Sequence, residues 1–214
     1  YNMRQVDELV FLDIAATPAG RPPDFQQIDE LADECFMPMT VGGGICSVED
    51  MRDLLRVGAD KVAINSAAVE NPALISDGAE QFGSQCITVS IDVKRRADNT
   101  PEVVTRCGKQ ATGLDPVAWA REAEKRGAGE ILLGSVDRDG TMEGYDLDII
   151  RAVSDAVGVP VIASGGAGSY RHMADAIEQG GADAVAAASI FHFTELTPKG
   201  AKRFLGERGL PVRL

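Results

Sequence analysis

The chain has 214 residues, with 21 Lys or Arg against 33 Asp or Glu, for a net charge of −12. An acidic balance argues against nucleic-acid or anionic-membrane partners, which need a basic surface, but leaves room for a small phosphate ligand in a local site. No apolar run reaches the roughly 18 residues of a membrane span, and Tyr1–Val10 lacks the pattern of a secretory leader, so a cytoplasmic protein is expected.

In chain order, Leu9–Ile14 reads as a first strand, followed by a Gly- and Pro-rich loop from Ala15 to Pro23. Asp24 to Glu34 has helical spacing, with Asp24 as N-cap. Met39–Val41 is a short strand ended by Gly42–Gly43–Gly44. Ser47 and Asp50 then have the spacing of a capping box, opening a helix that ends at Gly58. Lys61–Ile64 is a strand, followed by Asn65–Ser66 and a helix near Pro72–Gly78. Cys86–Asp92 is the next strand. The polar excursion from Lys94 to Thr112 is too long for a simple turn and predicts a small hairpin around Val103–Thr105. Asp115–Pro116 opens a helix closed by Gly127. After it come a strand at Ile131–Ser135, a helix at about Leu147–Val157, a strand at Val161–Ser164, and a helix through Met173 and Ile177. Ala184–Ala188 and a last helix at Lys199–Arg208 complete the chain.

Seven apolar strands alternating with amphipathic helices predict a parallel sheet covered by helices. An internal repeat narrows the architecture. Gly42, Gly58 and Ser66 recur 123 positions later as Gly165, Gly181 and Ser189, and Gly58–Ala59–Asp60 returns whole as Gly181–Ala182–Asp183. Two halves of four βα units predict a (β/α)8 TIM barrel, which typically takes about 250 residues. The repeat places a partner of Cys86–Asp92 before residue 1. The expectation is therefore a single barrel domain over 1–214, holding strands 2 to 8, with the first βα unit missing from this sequence.

In such a barrel the chemistry lies at the carboxyl ends of the strands, where glycine turns expose backbone N–H groups to phosphate. Two matched sites are expected. The first combines Gly44 with Asn65 and Ser66. The second combines Gly165 and Gly166 with Ala188 and Ser189, plus Asp139 and Gly140. A ligand with a phosphate at each end would span them. Asp92 ends an otherwise apolar strand, Asp13 and Asp139 are similar, and all three are candidates for acid–base work between the phosphates, with a purely structural role the stronger alternative for Asp13. An ion pair with Lys94 is the bland alternative for Asp92. At the opposite strand ends Glu8, Lys61 and Glu130 make a ring of charges, readable as stabilising ion pairs or as a gate for a small molecule. The cysteines (Cys35, Cys46, Cys86, Cys107) have no metal-site spacing, and His172 and His192 are the only histidines. No metal or cofactor is expected, the histidines read as surface or core residues, and Trp119 reads as core.

Several of these segments together resemble a known family. Asp7–Ile14, Thr40–Ile45, Gly58–Val62, Phe82–Gln85, Asp137–Thr141, Gly144–Asp146, Ala163–Gly168 and the ending Gly209–Leu214 are similar to the cyclase subunit of imidazole glycerol phosphate synthase (the HisF family), across essentially the whole chain. The resemblance implies ammonia-dependent conversion of the bis-phosphate PRFAR to imidazole glycerol phosphate and AICAR in histidine biosynthesis. It also implies a heterodimer with a glutaminase subunit (HisH-like), docked at the barrel bottom and feeding ammonia through the barrel. Asp92 matches one of two acid–base aspartates. Glu8, Lys61 and Glu130 match three of four gate residues. Gly44, Asn65, Asp139, Gly140, Gly166, Ala188 and Ser189 match phosphate positions. The second aspartate, a mobile-loop lysine and the fourth gate residue belong to the missing unit.

The chain departs from the family at Ser66 and Gly134, both of which stand where Thr is usual. The change at Gly134 predicts looser substrate contact. Glu34–Pro38 and Thr141–Gly144 look more like a sister branch that supplies ammonia-dependent amidine formation on surface sugars. A non-catalytic barrel that only binds a glutaminase is the remaining alternative.

Overall fold

The computed structural model describes residues 5–213. Seven parallel strands run side by side: β1 (Leu9–Leu12), β2 (Met39–Gly42), β3 (Lys61–Ile64), β4 (Ile87–Arg95), β7 (Glu130–Ser135), β8 (Val161–Ser164) and β9 (Ala184–Val185). An antiparallel hairpin, β5 (Pro101–Thr105) and β6 (Gln110–Ala111), hangs from β4. The sheet curls with helices on its outer side, an arrangement of the (β/α)8 TIM-barrel class. Among the described residues β1 pairs only with β2, and β9 only with β8.

The helices start where local chemistry dictates. In α3 (Val48–Arg56) the Ser47 hydroxyl accepts from Asp50 N–H while the Asp50 carboxylate accepts from Ser47 N–H, the reciprocal capping box expected from sequence. Asp24, Asp115, Ser169 and Thr197 likewise cap α2 (Phe25–Ala32), α6 (Pro116–Lys125), α8 (Tyr170–Glu178) and α10 (Pro198–Glu207). The other helices are α1 (Ala16–Ala19), α4 (Ser66–Glu70), α5 (Ala73–Phe82), α7 (Leu147–Ser154) and α9 (Ser189–Phe193). Met51, Leu54, Ile75 and Val153 on their inner faces are essentially inaccessible to water.

The internal repeat is visible in the hydrogen bonds. Asp60 accepts from Met39 N–H at 2.7 Å and donates its own N–H to the Met39 carbonyl. Asp183 does the same with Val161, accepting at 2.9 Å. Each Gly-Ala-Asp therefore ties the start of one strand to the start of its neighbour. The short helices α4 and α9, which follow β3 and β9, are both five residues long.

Some bounds differ from the sequence reading. The fourth strand does not stop at Asp92 but continues to Arg95, because β5 pairs with residues 92–95 and supplies the missing partners. The last strand is only Ala184–Val185, and Cys86 lies in a 3-10 turn, Ser84–Cys86. The Ala15–Pro23 loop contains α1, whose Ala16 is fully buried.

Register decides what lines the inside of the curl. Thr88, Ser90 and Asp92 of β4 lie beside Glu130, Leu132 and Gly134 of β7. Strand side chains alternate faces, so Ile87, Val89 and Ile91, all fully buried, point the other way. On β3 the same inner face carries Lys61 and Ala63, and it continues to Asn65. The inner surface is thus built in layers. Hydrogen bonds join Lys61, Thr88 and Glu130 at the bottom and Asn65 and Asp92 at the top, beside Gly134, with Ala63, Ser90 and Leu132 between, although in strict register Ala63 pairs with Thr88.

Candidate functional site

The top layer opens into a cavity of about 490 Å³ lined by Asp13, Gly43, Gly44, Asn65, Ser66 and Asp92 among others. Asn65 Nδ2 donates to Asp92 Oδ2 at 2.9 Å. Asp92 is therefore oriented by Asn65, and the ion pair with Lys94 does not form. Burial pushes the Asp92 carboxyl up to about 6, against the lowering effect of the Asn65 hydrogen bond and with a further push from the nearby Asp139 charge. A carboxyl with that value exchanges a proton readily near neutral pH.

The geometry gives Asn65 a role different from the expected one. The side chain expected on a phosphate turns to Asp92, and its own Oδ1 is buried without a donor among the described residues. Replacing Asn65 by Ala removes the one contact that favours the ionised Asp92. The acid limb of a pH–rate profile should then move above pH 6, and a limb that stays in place would show that Asn65 does not tune the carboxylate.

Asp13 is corrected from acid–base candidate to structural group. Its Oδ2 pairs with Arg21 at 2.7 Å, and its Oδ1 accepts from Ala15 and Ala16 N–H at 3.0 and 3.1 Å, closing the turn into α1. The Gly44 N–H is already engaged by the Thr17 hydroxyl at 3.3 Å. Ser66 lies at the start of α4, where the first N–H groups have no partners inside the helix. Its hydroxyl accepts from Arg106 N–H at 3.0 Å.

Arg106 was not singled out from sequence. It sits at the tip of the β5–β6 hairpin, where Arg106, Cys107 and Gly108 all adopt positive φ. From that tip Cys107 Sγ reaches the Ile14 carbonyl at 3.2 Å and the Arg106 guanidinium pairs with Glu70 at 2.8 Å. The hairpin thus roofs the mouth, touching the loops after β1 and β3.

The second expected site follows β7, β8 and β9. Gly165 and Gly166 have φ of 86° and 102°. A Cβ on Gly165 would lie 2.8 Å from the Ser135 carbonyl and 3.6 Å from Asp139 Cα, so this turn packs directly on the loop that carries Asp139 and Gly140. Gly144 N–H donates to the Gly166 carbonyl at 2.8 Å. His172 accepts from Gly168 N–H at 3.2 Å and so braces the same turn. Ala188 and Ser189 begin α9 after β9, beside β8. Trp119 packs in the core, as expected, with 5% of its surface exposed.

At the bottom layer Lys61 Nζ donates to Glu8 at 3.0 Å and to Glu130 at 2.5 Å. Thr88 Oγ1 reaches the other Glu130 oxygen at 3.4 Å. Burial would lower the Lys61 ammonium, but the hydrogen bonds to Glu130 and Glu8 outweigh it and hold the group above its ordinary value. The three charges expected to cluster do so. Asn65 lies four positions beyond Lys61 along the chain of β3, a rise of about 13 Å.

The sequence model of the histidine biosynthesis protein family matches residues 1–197. The chain belongs to that family. It is an enzyme of histidine biosynthesis, of the isomerase or cyclase type. In this histidine biosynthesis protein no helix among the described residues is long and apolar enough to cross a membrane.

Proposed function

We propose that this histidine biosynthesis protein is the cyclase subunit of imidazole glycerol phosphate synthase, using ammonia to convert PRFAR to imidazole glycerol phosphate and AICAR. The reading rests chiefly on one arrangement. A polar column, Glu130–Thr88–Ser90–Asp92, runs up the inner faces of β7 and β4 from the Lys61 ring to the mouth. An isomerase acting on one bound substrate has no use for a polar path from the far end of the barrel. A cyclase that receives ammonia from a second subunit needs one.

In this reading Gly44, Ser66 and the start of α4 hold one phosphate of the substrate. Gly165, Gly166, Asp139, Gly140, Ala188 and Ser189 hold the other. Asp92 takes up a proton as ammonia bonds to the substrate's carbonyl carbon, whose oxygen leaves as water, and returns it to the AICAR nitrogen as the ring closes and the bond from that nitrogen to the formimino carbon breaks. Glu8, Lys61 and Glu130 gate ammonia from a glutaminase docked below.

The test uses the full-length protein with PRFAR and ammonium salts, in parallel with an isomerase assay on the preceding pathway intermediate. Imidazole glycerol phosphate and AICAR should appear in equal amounts, with no isomerase turnover. Isomerisation without ring formation would overturn the assignment.

A further inference from the structure

Two arginines line the mouth cavity, Arg21 and Arg106, together with the carboxylates of Asp13, Asp50, Glu70 and Asp92. A phosphate entering there must find its positive charge in one of the two. Arg21 is locked into the fold. Its partner Asp13 lies at 2.7 Å, has a side chain only 14% exposed, and holds the turn into α1 with its other oxygen. Asp50 closes the capping box of α3, and Asp92 is held by Asn65.

Arg106 is placed differently. Its guanidinium has five N–H donors but makes one bond among the described residues, from Nη2 to Glu70 Oε1 at 2.8 Å. The two side chains are 47% and 53% exposed, and a pair so open to water holds its members weakly. The main chain of Arg106, in contrast, is fixed. Its N–H donates to Ser66 Oγ at 3.0 Å. That leaves the Ser66 hydroxyl proton free to donate toward the cavity. It also sets the Arg106 Cα beside Ser66, so the side chain pivots within reach of any anion that Ser66 touches. Holding it there takes φ of 52°, 58° and 76° in succession at Arg106, Cys107 and Gly108. Left-handed backbone without glycine persists only where the surroundings impose it, and such positions cluster at functional sites.

We propose that Arg106 is a phosphate-binding residue: the hairpin holds it over the first cradle, and a phosphate at Gly44 and Ser66 draws its guanidinium from Glu70 into a two-bond contact. A phosphate carries more charge than a carboxylate and matches the guanidinium fork, so the exchange is favourable. Glu70 keeps the side chain at the mouth until then. The proposal rests on the cyclase reading for the identity of the ligand but needs only its phosphate.

The test measures binding of PRFAR without ammonia, by calorimetry on the full-length protein. Arg106→Ala keeps the N–H to Ser66 and removes only the guanidinium. It should weaken PRFAR binding about 10- to 100-fold, as loss of a charged hydrogen bond does, with the melting temperature unchanged. Arg106→Lys should restore part of the loss, since an ammonium supplies charge but no fork. Glu70→Gln, which frees the guanidinium, should tighten binding a few-fold. In turnover with ammonia the Ala variant should raise KM and leave kcat nearly as it was. Inorganic phosphate, titrated in the same way, should rank the variants in the same order. Wild-type affinity in Arg106→Ala, or binding in Glu70→Gln no tighter than in the wild type, overturns the proposal. If the affinities for PRFAR or for phosphate shift as expected but PRFAR is never turned over, the cyclase reading fails while Arg106 keeps its phosphate.

Discussion

Replacing Asp92 by Asn in the full-length protein is expected to lower ammonia-dependent turnover by about 10²- to 10⁴-fold, the usual contribution of a positioned acid–base group, while making the protein more stable at pH 7. Both effects come from the same burial. The folded protein holds this carboxyl up to about 6, against an ordinary value of 3.8. Below the ordinary value the group is protonated in the folded and the unfolded chain alike, and it costs nothing. As pH rises, the unfolded chain releases its proton first, so stability falls, and the full cost is present once pH exceeds about 6. The rise from 3.8 to about 6 corresponds to about 3 kcal/mol, or on the order of 5–10 °C in melting temperature for a chain of this size. Asn keeps the shape and avoids the charge. Thermal melts at pH 7 and pH 4 check this, because the gain should be large at the first and nearly absent at the second. A variant that is inactive without being stabilised would indicate lost structure instead of lost chemistry.

Replacing Lys61 by Met should destabilise the protein by about 2 kcal/mol, since Glu8 and Glu130 are left facing each other with no cation. The figure sits below that of a fully buried pair because Glu8 is 41% exposed. With its proton affinity raised in the folded state, Lys61 stabilises fully at neutral pH, and the contribution fades only as pH climbs past the ordinary lysine range. The functional consequence is more selective. The ring lies about 13 Å below Asn65, so turnover on added ammonium salts should persist. Glutamine-dependent turnover in the presence of a glutaminase subunit should fall at least ten-fold. Equal loss with both nitrogen sources would argue that Lys61 only supports the fold.

Much of this molecule is legible in its sequence because the signals are local or periodic. The apolar run that ends at Asp92 identifies the strand that bears the candidate acid–base carboxylate. The Gly-Ala-Asp repeat predicts two halves, and Asp60 and Asp183 repeat the same pair of strand-start contacts. The charged ring was readable because Glu8, Lys61 and Glu130 each begin or precede a strand, so the fold class alone places them at one end. The features without a sequence signal depend on tertiary contact. Asp13 looks like Asp92 at a strand end, and only Arg21, eight positions away on the far side of α1, shows that its carboxylate is spoken for. Arg106 carries no motif, and its place over the mouth follows from a hairpin whose tip bends through three positive-φ residues. The repeat matches Asn65 to Ala188, but the bond from Asn65 to Asp92 crosses from the end of β3 to β4 and has no sequence spacing.

The duplicated architecture has a consequence for direction. In the proposed cyclase reading, two cradles related by a pseudo-twofold would accept a ligand with two phosphate ends equally well in either orientation, and only one orientation would set the reacting carbons over Asp92. Whatever breaks the degeneracy must differ between the halves. The short helices α4 and α9 match in length, but Asn65 precedes the first and Ala188 the second, and the roofing hairpin follows β4 alone. In the proposed reading the polarity of binding is thus set at the cradle beside Asn65, which Arg106 reaches from the hairpin of the other half.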